Sequence, residues 1–153
     1  MVPVVGETIA ACDNPDEGLP KMKHSFFIPG TLPGLNEIIS AAKSGHGAGN
    51  RYRKLKADAE MIVFVAVRNS NPPPFTGPVH IDFQWIAPDR RKDPDNISAG
   101  GRKICCDTLQ KAGILKGDGW KHIAGFSESF RVDKTNPGVI VTIENAEESS
   151  FIM

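Results

Sequence analysis

VHIDFQWIAPDRRKDPDNISAGGRKICCDTLQKAGILKGDGW, residues 79–120, holds the change of periodicity on which the fold turns. Val79, Ile81, Phe83 and Trp85 alternate with His80, Asp82 and Gln84, the period of a half-buried strand. Beyond the charged run from Asp89 to Asp95 the period lengthens. Ile104, Cys105, Thr108, Leu109 and Ala112 recur at helical spacing, and Gly113 stands where a helix closes in the left-handed conformation. Downstream, Lys121 to Val132 and Gly138 to Glu144 read as two closing strands joined through Asp133 to Pro137.

Upstream, the apolar run His24 to Ile28, closed by Pro29-Gly30, predicts a first strand. Leu35, Ile38, Ile39 and Ala42 form one face of a short helix, which the Gly-rich stretch Ser44 to Gly49 ends. Asn50 is placed to cap a second helix reaching about Arg68, with Tyr52, Leu55, Ala59, Ile62 and Ala66 at helical spacing. The prolines at 72–74 and Gly77-Pro78 break it. The order β-α-α-β-α-β-β predicts an α+β domain of two layers, a mixed β-sheet with helices packed mainly on one face. It covers 24–146, after a loose arm (1–23) that contributes one extended segment at most and before an acidic, frayed tail (147–153).

The chain has 153 residues, 40% hydrophobic and 24% charged, which fits one globular domain and excludes fibrous or wholly disordered chains. Its longest apolar run, Met61 to Val67, is far short of the roughly 20 residues that cross a bilayer, and no basic then apolar leader opens the sequence. Three cysteines, with Cys105 and Cys106 adjacent, suit a reducing cytoplasm. Eighteen basic and eighteen acidic residues cancel, but unevenly. Lys43, Arg51, Arg53, Lys54 and Lys56 form one block without an acid, and Arg90, Arg91, Lys92, Arg102, Lys103 and Lys121 belong to a second block that also holds aspartates.

Asp93-Pro94-Asp95 is the most informative triplet. Proline biases the residue before it toward extended geometry, where i and i+2 point to one side. Two carboxylates brought together there repel unless a cation lies between them, an arrangement that suits Mg²⁺ with water and phosphate completing its shell. The alternative is an ordinary turn with Asn96 capping the third helix. Asp118, inside Lys116-Gly117-Asp118-Gly119-Trp120, joins the pair only if the strands flanking the third helix run antiparallel or the loop reverses. Parallel strands put it at the opposite end, and its alternative is a Gly-Asp-Gly turn.

The stretch from Arg90 to Trp120 resembles the core of the RusA family of Holliday-junction resolvases, crossover junction endodeoxyribonucleases of bacteria and their prophages. The resemblance lies in the basic run before Asp-x-Asp-Asn, the helix bearing Asp-x-Leu-x-x-Ala-Gly, and the acidic turn after it. Leu32-Pro33 with Asn36 resembles the family's N-terminal signature more weakly. The resemblance implies that Asp93, Asp95 and Asp118 bind Mg²⁺, with Mn²⁺ as a substitute, and that a lysine on the helix is catalytic. The family's lysine position is occupied by Ala99, and about four extra residues in Ser98 to Gly101 move the nearest cations to Arg102 and Lys103. Lys103 keeps the family's spacing to Asp107, which is either a fourth site carboxylate or a partner of Lys103 at i, i+4. Gly117 stands where the family often has a second aspartate.

The implied chemistry is metal-dependent phosphodiester hydrolysis in recombination and repair, with Lys103 or Arg102 neutralising the phosphate. Arg90, Arg91, Lys92, Arg102, Lys121, Arg51, Arg53 and Lys54 would hold backbone phosphates of four-way junction DNA. Tyr52 or Trp120 could stack on an unpaired base, and a packing role is the alternative for Trp120 and His122. Paired cuts require two sites, hence a homodimer, through the Val79–Trp85 strand or the closing strands. The competing readings are a nuclease of flaps or forks, and a DNA-junction binding protein with a structural or degenerate metal site.

Overall fold

The structure, a computed structural model, describes residues 7–10, 22–43 and 48–146. Its elements are β1 (Glu7–Ala10), β2 (Met22–Pro29), α1 (Leu35–Lys43), α2 (Ala48–Ser70), β3 (Val79–Ala87), α3 (Pro94–Lys111), β4 (Ile123–Val132) and β5 (Gly138–Asn145). From β2 onward this is the predicted order, and β1 is the one extended segment allowed to the arm. Met22 and Lys23 of the predicted arm belong to β2, and its residues 1–6 and 11–21, the tail 147–153 and residues 44–47 of the Gly-rich stretch lie outside the described residues.

The sheet order is β1-β2-β5-β3-β4. β5 runs antiparallel to both β2 and β3, whereas β3 and β4 are parallel and α3 is their crossover. Direct hairpin closure is unavailable to a parallel pair, so the long connection carrying α3 is what such a pairing needs. The alternating residues of β3 line one side of the sheet. Val79, Ile81 and Phe83 are fully buried there and pack with Phe26, Val63, Leu109, Val141 and Ile143 beneath the helices. β3 and β5 are interior strands and β4 is an edge. The Val79–Trp85 strand therefore offers a partner no free edge, because both its sides are already hydrogen-bonded.

Two helix starts differ from the sequence reading. α2 begins at Ala48, so Asn50 lies within it rather than capping it. α3 begins at Pro94, ten residues before Ile104, because its first turns pack through glycine and serine rather than through large apolar groups. A Cβ at Gly100 would stand 2.4 Å from the Pro33 carbonyl oxygen, and one at Gly101 would stand 2.6 Å from the Trp85 ring. These glycines let the 33–35 turn and Trp85 lie directly on the helix. At its other end Gly113 has φ +79, as its position suggested.

His24 is completely buried on β2, with Nε2 3.1 Å from the Ser70 hydroxyl on α2. Burial holds its pKa below the usual 6.5. The unfolded chain therefore takes up the proton first as pH falls, and stability present above about pH 6.5 is lost below it. The denaturation midpoint should drop between pH 7.5 and 5.5, and His24→Gln should flatten that slope; an unchanged slope would remove His24 as its source. Burial likewise pushes the Cys105 thiol up and Cys106 up to about 12, so both behave as packed hydrophobes.

Candidate active site along the third helix

Asp93, Pro94 and Asp95 occupy the N-cap and first two positions of α3. Asp93 has extended dihedrals (φ −71, ψ 150), as expected before proline, but Asp95 is already helical, so the triplet is a helix start rather than a continued strand. Both aspartates are exposed. The Asp93 side chain makes no capping bond, and the Asp95 carboxylate accepts the Asn96 N–H at 3.0 Å. Negative charge is favoured at this end of an 18-residue helix, where unpaired N–H groups and the helix dipole point outward.

Asn96 does not cap α3. Its Oδ1 accepts the Asn36 N–H at 2.8 Å, which ties the start of α1 to α3. The Leu32-Pro33…Asn36 signature and the asparagine of Asp-x-Asp-Asn thus meet in a structural contact. Lys92 adds to that tie by pairing with Glu37. Partial burial pushes the Glu37 carboxyl up, but Lys92 and the Gly34 N–H outweigh it and leave the pKa below the usual range.

Asp118 lies elsewhere, as the parallel pairing of β3 and β4 requires. Its Oδ2 is 3.8 Å from Lys103 Nζ, and Asp107 Oδ1 is 3.2 Å from the same ammonium. Lys56 of α2 reaches the other oxygen of Asp107 at 3.6 Å. The result is an alternating row, Lys56, Asp107, Lys103, Asp118, which places the first basic block beside the acidic turn. Hydrogen bonding and charge from Asp107, then Asp118, hold the Lys103 pKa above the ordinary lysine value. At neutral pH it is a cation and not a base.

Asp95, Ala99, Lys103 and Asp107 follow one another at i+4 spacing and share one face of α3. From Asp95 to Lys103 is eight residues, about 12 Å along the axis. Lys103 thus stands about two turns beyond Asp95, with Asp118 beside it. Among the described residues no three His, Cys, Asp or Glu side chains come close enough to share a metal ion. The expected three-aspartate cluster is not formed. That face instead bears Asp95 at its start and Asp107, with Asp118 of the following turn, at its far end, while Asp93 lines the groove shared with β4. Mg²⁺ is commonly held through one or two carboxylates with water and substrate phosphate, and the exposed Asp93–Asp95 turn fits that donor set.

The two helix cations separate cleanly. Arg102 points to β4, where Nη1 donates to Glu128 Oε1 at 2.6 Å and its guanidinium lies 5.1 Å over the Phe126 ring. Glu128 Oε2 also accepts from Trp85 Nε1 at 2.7 Å. Arg102 is thereby part of the packing, and of the two only Lys103 faces the carboxylates. Arg91 leans on Asp89, whereas Arg90 makes no ion pair among the described residues. Arg90 shares a groove of about 340 Å³ with Lys92, Asp93, Phe130 and Arg131. Phe130 and Arg131 were not singled out from sequence, since an Arg in an alternating strand reads as surface. Arg51, Arg53, Lys54 and Lys121 are exposed, and Tyr52 is half buried between α2 and α3. No described helix is long and apolar enough to cross a membrane.

No protein-family model matches the chain, and no curated protein matches it.

Proposed function

We propose that the chain is a Mg²⁺-dependent, structure-selective DNA endonuclease that resolves four-way junctions by paired phosphodiester cleavage. The observation that carries this reading is the face of α3 on which exposed Asp95 is followed by Lys103, with Asp93 at the helix N-cap, Asp118 beside Lys103 and Lys56 of α2 alongside. Asp93 and Asp95 would hold Mg²⁺, which when bound lowers the pKa of a water and stabilises charge on the phosphate. Lys103 offers a fixed positive charge two turns along the helix. Arg90 and Arg131 offer backbone-phosphate contacts beside Asp93, and Arg51, Arg53, Lys54 and Lys121 do so at the other end.

Paired cuts need two such faces, hence a homodimer of this chain. Of the strands considered for its interface, β4 has the free edge, with Phe126, Phe130 and Val132 exposed. The separation of Asp118 from Asp93 and Asp95 favours one second reading, a junction- or flap-DNA binding protein with a degenerate metal site. A labelled four-way junction decides between them. Symmetric cuts with Mg²⁺, and a gel shift without cuts in Ca²⁺, mark the nuclease; a shift without cuts in both marks the binder; neither shift nor cut refutes both.

Electrostatic anchoring by α2 has its own expected result. Replacing Arg51, Arg53 and Lys54 together with Ala should weaken binding to every junction sequence alike. For each phosphate no longer neutralised, the log–log salt slope should fall by about 0.9. An unchanged slope would return the block to an ordinary solvated helix face.

A further inference from the structure

Trp120 is 87% exposed, the most exposed large hydrophobic residue described, whereas the other tryptophan, Trp85, is 4% exposed. An indole left in water forfeits the burial that ordinarily places tryptophan inside, so its presentation calls for a partner. The turn that carries it is braced. Gly119 O accepts the N–H groups of both His122 and Ile123 at 3.0 Å, and His122 O accepts from Val79 N, which ties the turn to the start of β3. Gly117 packs so closely on the His122 imidazole that a Cβ there would lie 2.7 Å from the ring. The indole therefore projects from a held base. Lys116 and Lys121, both exposed, flank it, and Asp118 with Lys103 stands two residues away.

We propose that Trp120 is a stacking platform for an unpaired or terminal nucleobase and that it supplies selectivity for branched over continuous duplex DNA. The inference rests on the reading of the chain as a DNA-binding nuclease and deepens it by assigning the element that senses the branch. Within a duplex every base face is covered by its neighbours, so an indole gains nothing beyond what the lysines already supply. At a branch point or strand end a base face is open. Aromatic stacking there is sequence-tolerant, and the adjoining cations take the flanking phosphates without reading sequence.

The two tryptophans make the test direct. DNA with no divalent metal or with Ca²⁺ is titrated into the full chain, using a four-way junction, a forked duplex and a covalently closed circular duplex, which has no strand end, while tryptophan emission is followed. The expected result is quenching by junction and fork but not by duplex. Trp120→Ala should abolish the quench, leave the buried Trp85 emission and the melting temperature unchanged, and weaken junction and fork binding about 5- to 150-fold with duplex binding unaltered. Trp120→Phe should restore part of the affinity. Junction binding with equal affinity in wild type and Trp120→Ala overturns this inference while leaving the nuclease reading intact. Equal losses on duplex and junction overturn it too, since the indole would then serve general contact. Absence of binding to any of the three DNAs overturns both.

Discussion

Asp95→Asn should lower Mg²⁺-dependent cleavage of a four-way junction by at least about 100-fold while junction binding in Ca²⁺ persists or tightens. The magnitude follows from ligand chemistry. Loss of an outer-shell partner alone typically costs 10–100-fold in metal affinity or activity, and a ligand should cost no less. Binding survives because the substitution removes a negative charge from a surface that must approach phosphate. Asp93→Asn should behave alike, its exposed carboxylate having no capping bond to lose. Asp118→Asn, which removes the carboxylate beside Lys103 and not one at the helix start, should lower cleavage less than either. Single-turnover cleavage of labelled junctions measures all three, and a rate near wild type for any of them excludes that aspartate from the reacting centre.

Trp85→Ala should lower the stability of the fold by about 3–5 kcal/mol. The ring is 4% exposed, stacks on Phe83 at 5.2 Å with an interplanar angle of 8°, and lies against Gly101 of α3. Its removal opens a cavity between β3 and α3 and strips Glu128 of one of its two donors, leaving Arg102 alone to hold it. For a chain of this length the thermal midpoint should fall by about 6–20 °C. Trp85→Phe retains most of the packing and loses only the N–H, so it should lie well between. Thermal denaturation followed by circular dichroism measures both, and a change of under about 3 °C for Trp85→Ala would show that the β3–α3 interface is not where stability resides.

Much of this fold was legible because its signals are local. The strict alternation of β3, the helical spacing of Ile104, Cys105, Thr108 and Leu109, and the left-handed Gly113 each depend on neighbours in sequence, and each is where it was expected. The i, i+4 pairing of Lys103 with Asp107 was legible for the same reason. The start of α3 was not, because the residues that pack there are Ser98, Gly100 and Gly101, whose burial depends on a turn sixty residues away rather than on their own hydrophobicity. Arg102 and Lys103, equal in sequence, part company because adjacent helical residues point about 100° apart and only one meets Glu128.

The sequence by itself determined the element order from β2 onward, the inward face of β3, and the set of charged residues available for chemistry. Tertiary structure decided where those charges lie. Strand direction is fixed by hydrogen bonds between segments far apart in the chain, and the parallel pairing of β3 with β4 sends Asp118 away from Asp93. The same pairing leaves β4 as the free edge, while the packing of α2 on α3 puts Lys56 beside Asp107. Asn96, a candidate helix cap in sequence, becomes the acceptor that holds α1, and Trp120, for which packing and stacking were both open, stands in water. Such placements depend on which surfaces meet, and periodicity along one segment carries no information about its partner.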